Sequence, residues 1–314
     1  MEPVITLFER EPAPISDLPP ALAERYGGGL ALPRAGHGDR PPVVANFVAT
    51  IDGVISFAEP GLSGGGEVSG FNEPDRFLMG LLRAAVGAVI FGAGTLRDDA
   101  EHVRVAPYIY PELADAYAEL RHSLGYTTPH PLNVVVTASG RVDLDQATFH
   151  YPNLRVLIAT THAGLERLAG ATLPPGVEAR AIGGAHAAAD LEPAPGAADG
   201  GVQLAAPPPI SGVDPIALLE LLGQEYGVPV ALHEGGPHVL GAFLAVGALD
   251  ELFLTRAPQI AGRASGLMRP ALLEGHAYMP GSAPWWDLLS LKRAESHLFL
   301  RYRLDRHVAD AGQV

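Results

Sequence analysis

The stretch that most constrains this chain runs from Leu81 to Asp99, LLRAAVGAVIFGAGTLRDD. It reads as the end of a helix, a strand of Ala88, Val89, Ile90 and Phe91, a glycine turn through Gly92, Ala93 and Gly94, and a new helix from Thr95. So short an apolar run between glycine turns suits a strand covered on both faces, the situation inside a parallel sheet. Glycines at its exit let backbone N–H groups approach an anion. The helix start that follows adds unpaired donors and the positive end of a dipole.

A second corner of the same kind lies far along the chain. After the apolar run Val228 to His233 come Glu234, Gly235, Gly236, Pro237 and His238, then a helix carrying Val239, Leu240, Phe243 and Leu244. If the two strands are neighbours, both corners face one diphosphate from opposite sides, and a dinucleotide is the natural ligand. The Rossmann fingerprint is absent, because Gly92 to Arg97 lacks a third glycine and no acidic residue follows at a second strand's end.

Residues 1–40 read as a Pro- and Gly-rich N-terminal arm with one short helix, about Leu18 to Tyr26. Residues 41–314 read as one domain. Its strand-prone runs are Val43 to Ala49, Leu132 to Thr137, Leu154 to Ala159, Val177 to Ile182 and Leu249 to Thr255, and its helices start at Asn72 and Asp214. Leu288 to Lys292 and His297 to Leu304 form a terminal hairpin. The predicted fold is therefore α/β: a mostly parallel central sheet, an antiparallel C-terminal hairpin, and helices on both faces. Residues 58–70, AEPGLSGGGEVSG, are expected to be a loop without regular structure. Residues 183–213 read as a surface insertion dominated by Ala, Pro, Gly and Asp.

Charge and composition narrow the function. With 35 acidic against 21 basic residues and a net charge of −14, neither nucleic acid nor an anionic membrane is the expected partner. No apolar run reaches membrane-spanning length, and a soluble, cytoplasmic protein is expected. The absence of cysteine excludes disulfides, thiolate nucleophiles and cysteine-ligated metals. The histidines show no H-E-x-x-H spacing, so no metal site is expected. His233 is expected to make a structural hydrogen bond, and Asp52 with Gly53 to form a tight turn.

Four segments, ANFVATIDG (Ala45 to Gly53), LLRAAVGAVIFGAGTLRDD, HEGGP (His233 to Pro237) and LDELFLTRAPQIAG (Leu249 to Gly262), resemble the riboflavin-biosynthesis pyrimidine reductases in order and spacing. That family, the RibD C-terminal domain type, is a branch of the dihydrofolate-reductase-like superfamily. The resemblance implies a dihydrofolate-reductase-like sheet, NADPH as cofactor, usually a homodimer, and hydride transfer to the ribose of 5-amino-6-(5-phosphoribosylamino)uracil. It implies that Ala49, Gly94, Thr95 and Asp99 contact the cofactor and that Gly235, Gly236, Pro237 and His238 hold its diphosphate. The Gly235–Gly236 bond is often cis in related enzymes.

The substrate contacts implied are Asn46, Ser69, Arg76, Arg104 and Glu234. Arg76 and Arg104 suit a ribose phosphate, while Asn46 and Glu234 suit a pyrimidine edge. Asp99 and Glu234 are the candidates to deliver the proton that accompanies the hydride. Thr137, Ser139 and Arg141, after the strand at Leu132, are candidates to hold the cofactor's 2′-phosphate. The segment from Asp98 to Arg104, DDAEHVR, departs from the family's Asp-Pro and Leu-Thr-Val-Arg pattern. Two alternatives follow: a reductase of dihydrofolate or another pterin or pyrimidine, and a non-catalytic dinucleotide-binding paralogue.

Overall fold

Ala88 to Gly92 is buried along its whole length, and its side chains alternate between two cores: Val89 and Phe91 enter one, Ala88 and Ile90 the other. This is the period-2 signature of a strand covered on both faces. The computed structural model describes residues 2–33, 40–59, 61–62, 64–183 and 212–305. The insertion expected at 183–213 lies almost wholly outside the described residues.

The chain opens with β1 (Ile5–Glu9), α1 (Pro20–Tyr26), β2 (Val43–Ala49), α2 (Gly65–Ser69) and α3 (Glu73–Ala85). The middle holds β3 (Ala88–Gly92), α4 (Ala93–Asp98), α5 (Ala106–Ile109), α6 (Ala114–Ser123), β4 (Leu132–Thr137), β5 (Val156–Thr160), α7 (His162–Leu168) and β6 (Val177–Ala181). It closes with α8 (Pro215–Gln224), β7 (Ala231–His233), α9 (Pro237–Ala245), β8 (Glu251–Arg256), β9 (Trp286–Ala294) and β10 (His297–Leu304).

These strands form one ten-stranded sheet in the order β1-β9-β10-β8-β2-β7-β3-β4-β5-β6. The pairings from β8 to β6 are parallel, and those joining β1, β9, β10 and β8 are antiparallel. The α/β architecture expected from the sequence is thus the one observed. Leu22, Leu81, Leu82 and Leu120, from α1, α3 and α6, build the core on one face; Leu218, Leu222, Leu240 and Phe243, from α8 and α9, build the other. Local signals fix the helix ends. Asn72 accepts from the Asp75 N–H at 3.1 Å, Asp214 accepts from Ile216 N at 2.8 Å, and Gly27 closes α1 with a φ of +69°.

Three details differ from the sequence reading. Residues 58–70 are not wholly irregular, because α2 forms within them: Val68 and Ser69 are buried, and the Gln259 side chain donates to the Glu67 and Val68 carbonyls from across the chain. That distant cap overrides the poor helix propensity of glycine. The arm contributes an edge strand, β1, paired with β9 and tied down by Lys292, whose ammonium reaches Thr6 Oγ1 at 2.7 Å and Glu9 Oε2 at 3.3 Å. The run from Val228 pairs only over Ala231–His233, as Pro229 lacks the donor a longer ladder needs.

Candidate active site

The two glycine corners meet. In the sheet β7 lies between β2 and β3, with Ile90 level with His233, and the Glu234 N–H donates to the Ile90 carbonyl at 3.0 Å. Both chains therefore leave the sheet side by side. A Cβ on Gly235 would lie 2.3 Å from Phe91 Cα, one on Gly92 would lie 3.1 Å from Val239 Cγ2, and one on Gly236 would lie 3.3 Å from Thr95 Oγ1. Gly236 takes a φ of +50°, a region other residues rarely visit. The Gly235–Gly236 bond is trans, unlike the geometry implied by the resemblance.

These corners open onto a cleft of about 1090 Å³, ample for a dinucleotide with a small substrate beside it. Gly94, Thr95, Gly236, Pro237 and His238 line its central wall, and Thr137, Ser139 and Arg141 line the end beyond β4. Asn46, Ser69, Arg76, Asp99, Arg104 and Glu234 line the remaining walls. Two expected site residues stand outside the lining. Gly235 is buried against Phe91, and Ala49 is 1% exposed, its carbonyl accepting from the Ala257 N–H at 2.9 Å.

The electrostatics centre on a residue the sequence reading did not single out. Arg83, on α3, is 1% exposed and holds Glu234 with Nε at 3.2 Å from Oε1 and Nη2 at 2.9 Å from Oε2. Nη2 also meets His102 Nε2 at 2.9 Å. Arg104 is buried as well, its guanidinium 4.1 Å over the Phe91 ring and its Nη1 donating to the His102 carbonyl at 3.3 Å. Burial, with Arg83 alongside, lowers Arg104 to about 10. Arg76 donates to the Ile109 carbonyl at 2.9 Å. Burial raises the carboxyls of Asp99 and of Asp75, which also lines the cleft.

Arg83 and His102 were legible only in part. Arg76, Met79 and Arg83 recur at helical spacing along α3, whose other positions are largely apolar, and all three line the cleft. Two arginines seven residues apart on an otherwise core-facing helix are the signal that marks Arg83. His102 sits in an irregular segment with no periodicity to read. Two residues weighed at the sequence level prove structural. Asp52 accepts from Thr50 Oγ1 at 2.6 Å, Gly262 N at 2.7 Å and Ala261 N at 3.1 Å, and these bonds hold its carboxyl well below the usual range. His233 does not make the expected hydrogen bond: both ring nitrogens are buried without a partner, between the rings of Phe47 and Phe243. Among the described residues no group of side chains is arranged to hold a metal ion, and no helix is long and apolar enough to cross a membrane.

Comparison with known proteins gives a consistent family. The model of the RibD C-terminal domain matches residues 41–275. Among solved structures, a pyrimidine reductase-like protein from Corynebacterium diphtheriae shares the fold with a TM-score of 0.58 at 19% identity, over 85% of this chain and 92% of that one. A diaminohydroxyphosphoribosylaminopyrimidine deaminase/5-amino-6-(5-phosphoribosylamino)uracil reductase from Thermotoga maritima gives 0.56 at 19% identity, over 85% of this chain. The riboflavin biosynthesis reductase of Saccharomyces cerevisiae gives 0.54 at 14%, over 86% and 93%. This chain spans 57% of the Thermotoga protein and 59% of a similar one from Acinetobacter baumannii. At these identities the likeness is one of fold. No curated protein matches the sequence.

Proposed function

This chain belongs to the RibD C-terminal domain family, and we propose that it is an NADPH-dependent reductase of a phosphorylated pyrimidine, with 5-amino-6-(5-phosphoribosylamino)uracil the first candidate substrate. The observation that carries the proposal is the meeting of the two glycine corners on one wall of a single cleft. The corners suit a dinucleotide. No side chain fits at Gly235, and the first-turn N–H groups of α4 and α9 have no acceptor within their own helices, which supports a diphosphate at these corners.

In this reading Gly94, Thr95, Gly236, Pro237 and His238 hold the diphosphate, and Thr137, Ser139 and Arg141 hold the 2′-phosphate. Bound NADPH supplies a hydride to an electrophilic substrate carbon. Arg76, Arg83 and Arg104 bring three guanidinium groups to the substrate end, suited to a ribose phosphate by charge-assisted bonds. Asn46 and the Glu234 carboxylate, oriented by Arg83, face the pyrimidine edge. Asp99, whose carboxyl burial pushes upward, is assigned the delivery of a proton to the heteroatom at the reduced carbon.

The test is a titration of the pure protein with NADPH followed by nicotinamide fluorescence, and then NADPH oxidation with the uracil intermediate, dihydrofolate and related pterins. The proposal expects saturable binding and turnover of the uracil compound. Failure to bind at high micromolar NADPH refutes it. Turnover of a pterin alone reassigns the substrate, and binding without turnover of any compound points to a non-catalytic dinucleotide-binding module.

A further inference from the structure

We propose that His102 is a positioning residue: a neutral imidazole protonated on Nδ1, which holds Arg83 through Nε2 and faces Asp99 through Nδ1, and so sets the substrate end of the cleft. The proposal rests on the reductase reading for its functional consequence but not for its chemistry.

The protonation state follows from hydrogen-bond direction. A guanidinium has only donors, so Arg83 Nη2, 2.9 Å from His102 Nε2, must find a lone pair there. The ring proton is then on Nδ1, which faces Asp99 Oδ2 at 3.5 Å. The Tyr108 ring meets the imidazole edge-on at 5.4 Å. The backbone carbonyl of the same residue accepts from Arg104 Nη1 at 3.3 Å and from Thr148 Oγ1 at 3.2 Å. Both buried arginines of the cleft are thus anchored on one residue, Arg83 on its ring and Arg104 on its carbonyl.

An imidazolium at this point would stand among Arg83 and Arg76 of α3 and Arg104, with Asp99 opposite Nδ1 and Glu234 already paired to Arg83. Burial and those three arginines push the ring down to about 2. A ring whose Nε2 lone pair is already engaged by Arg83 does not pass a proton between Asp99 and Glu234. Of the two carboxyls, Asp99 is the one not tied to Arg83, and it is assigned the proton that completes the reduction. Glu234 stays committed to Arg83.

The experiment uses the full chain labelled with ¹⁵N-histidine and a long-range ¹H–¹⁵N spectrum recorded between about pH 5.5 and 8, across the ordinary histidine range. His102 is assigned by its loss in His102→Asn. The expected result is an Nδ1–H tautomer that does not titrate; an Nε2–H tautomer, or protonation inside that range, overturns the proposal. A second arm measures kinetics with NADPH and the uracil intermediate. His102→Leu is expected to raise KM roughly tenfold or more with NADPH affinity unchanged. His102→Asn, whose amide still offers an acceptor and a donor, is expected to recover most of that loss and to keep the wild-type pH profile. Equal KM values and pH profiles for wild type and both variants overturn the proposal. If the wild-type protein turns over nothing, the reductase reading fails, and the tautomer still decides this inference.

Discussion

Alanine at Gly235 and at Gly94 separates the two things the glycine corners do. At Gly235 the new Cβ would lie 2.3 Å from Phe91 Cα, 2.4 Å from Phe91 Cβ and 2.7 Å from Gly92 N, so β3 and β7 must part at the centre of the sheet. Overpacking against atoms that cannot swing aside costs about 1–3 kcal/mol. At roughly 2–4 °C per kcal/mol for a large domain, Tm should fall by about 2–12 °C. At Gly94 the nearest atom to a new Cβ is Arg97 Nη2 at 3.8 Å, ordinary contact, and alanine is the better helix former by about 0.5–1 kcal/mol. Gly94→Ala should therefore keep or slightly raise Tm, yet weaken NADPH binding, because its methyl group enters the cleft beside the diphosphate donors. Differential scanning fluorimetry and nicotinamide fluorescence read the two effects. A Gly235→Ala protein with unchanged Tm would refute the close packing of the two corners, and a Gly94→Ala protein that binds NADPH like the wild type would refute a diphosphate beside Gly94.

Other consequences follow from the same geometry. Arg141→Ala should raise KM for NADPH more than for NADH, and equal effects would remove Arg141 from the 2′-phosphate site. Arg83→Leu should cost about 3–5 kcal/mol in urea unfolding, since it leaves the Glu234 carboxylate, 4% exposed, without its counter-ion; a smaller loss would mean that water or Arg104 takes over. His102 and His233, held at about 2 and about 3 by burial, bind fewer protons folded than unfolded below their ordinary value near 6.5, so stability falls with acid. Between pH 7.5 and 5.5 each should remove about 1.4 kcal/mol, and the double variant His102→Asn/His233→Phe should flatten that slope. Asp52→Ala should lower Tm while leaving NADPH affinity unchanged, because its three bonds join only Thr50 to the Ala261–Gly262 loop.

The sequence alone determined the elements whose signals are local. The apolar run at Ala88, the caps at Asn72 and Asp214, the left-handed Gly27 and the terminal hairpin each reflect neighbours within a few residues, and each formed where its chemistry placed it. The four family segments likewise carried the sheet type and the two glycine corners of the cleft, while Ser69, Arg76, His102, Arg104, Thr137, Ser139 and Arg141 come from outside them. Tertiary structure decided the rest. It set β7 beside β3, a pairing of segments some 140 residues apart that alone makes the two glycine corners into one site. It also ordered α2 through the distant Gln259 and folded β1 onto β9, against weak local preference. The link from Glu234 through Arg83 to His102 belongs to the same class: an ion pair is set by distance in space, and hydrophobic periodicity says nothing about which buried charge meets which.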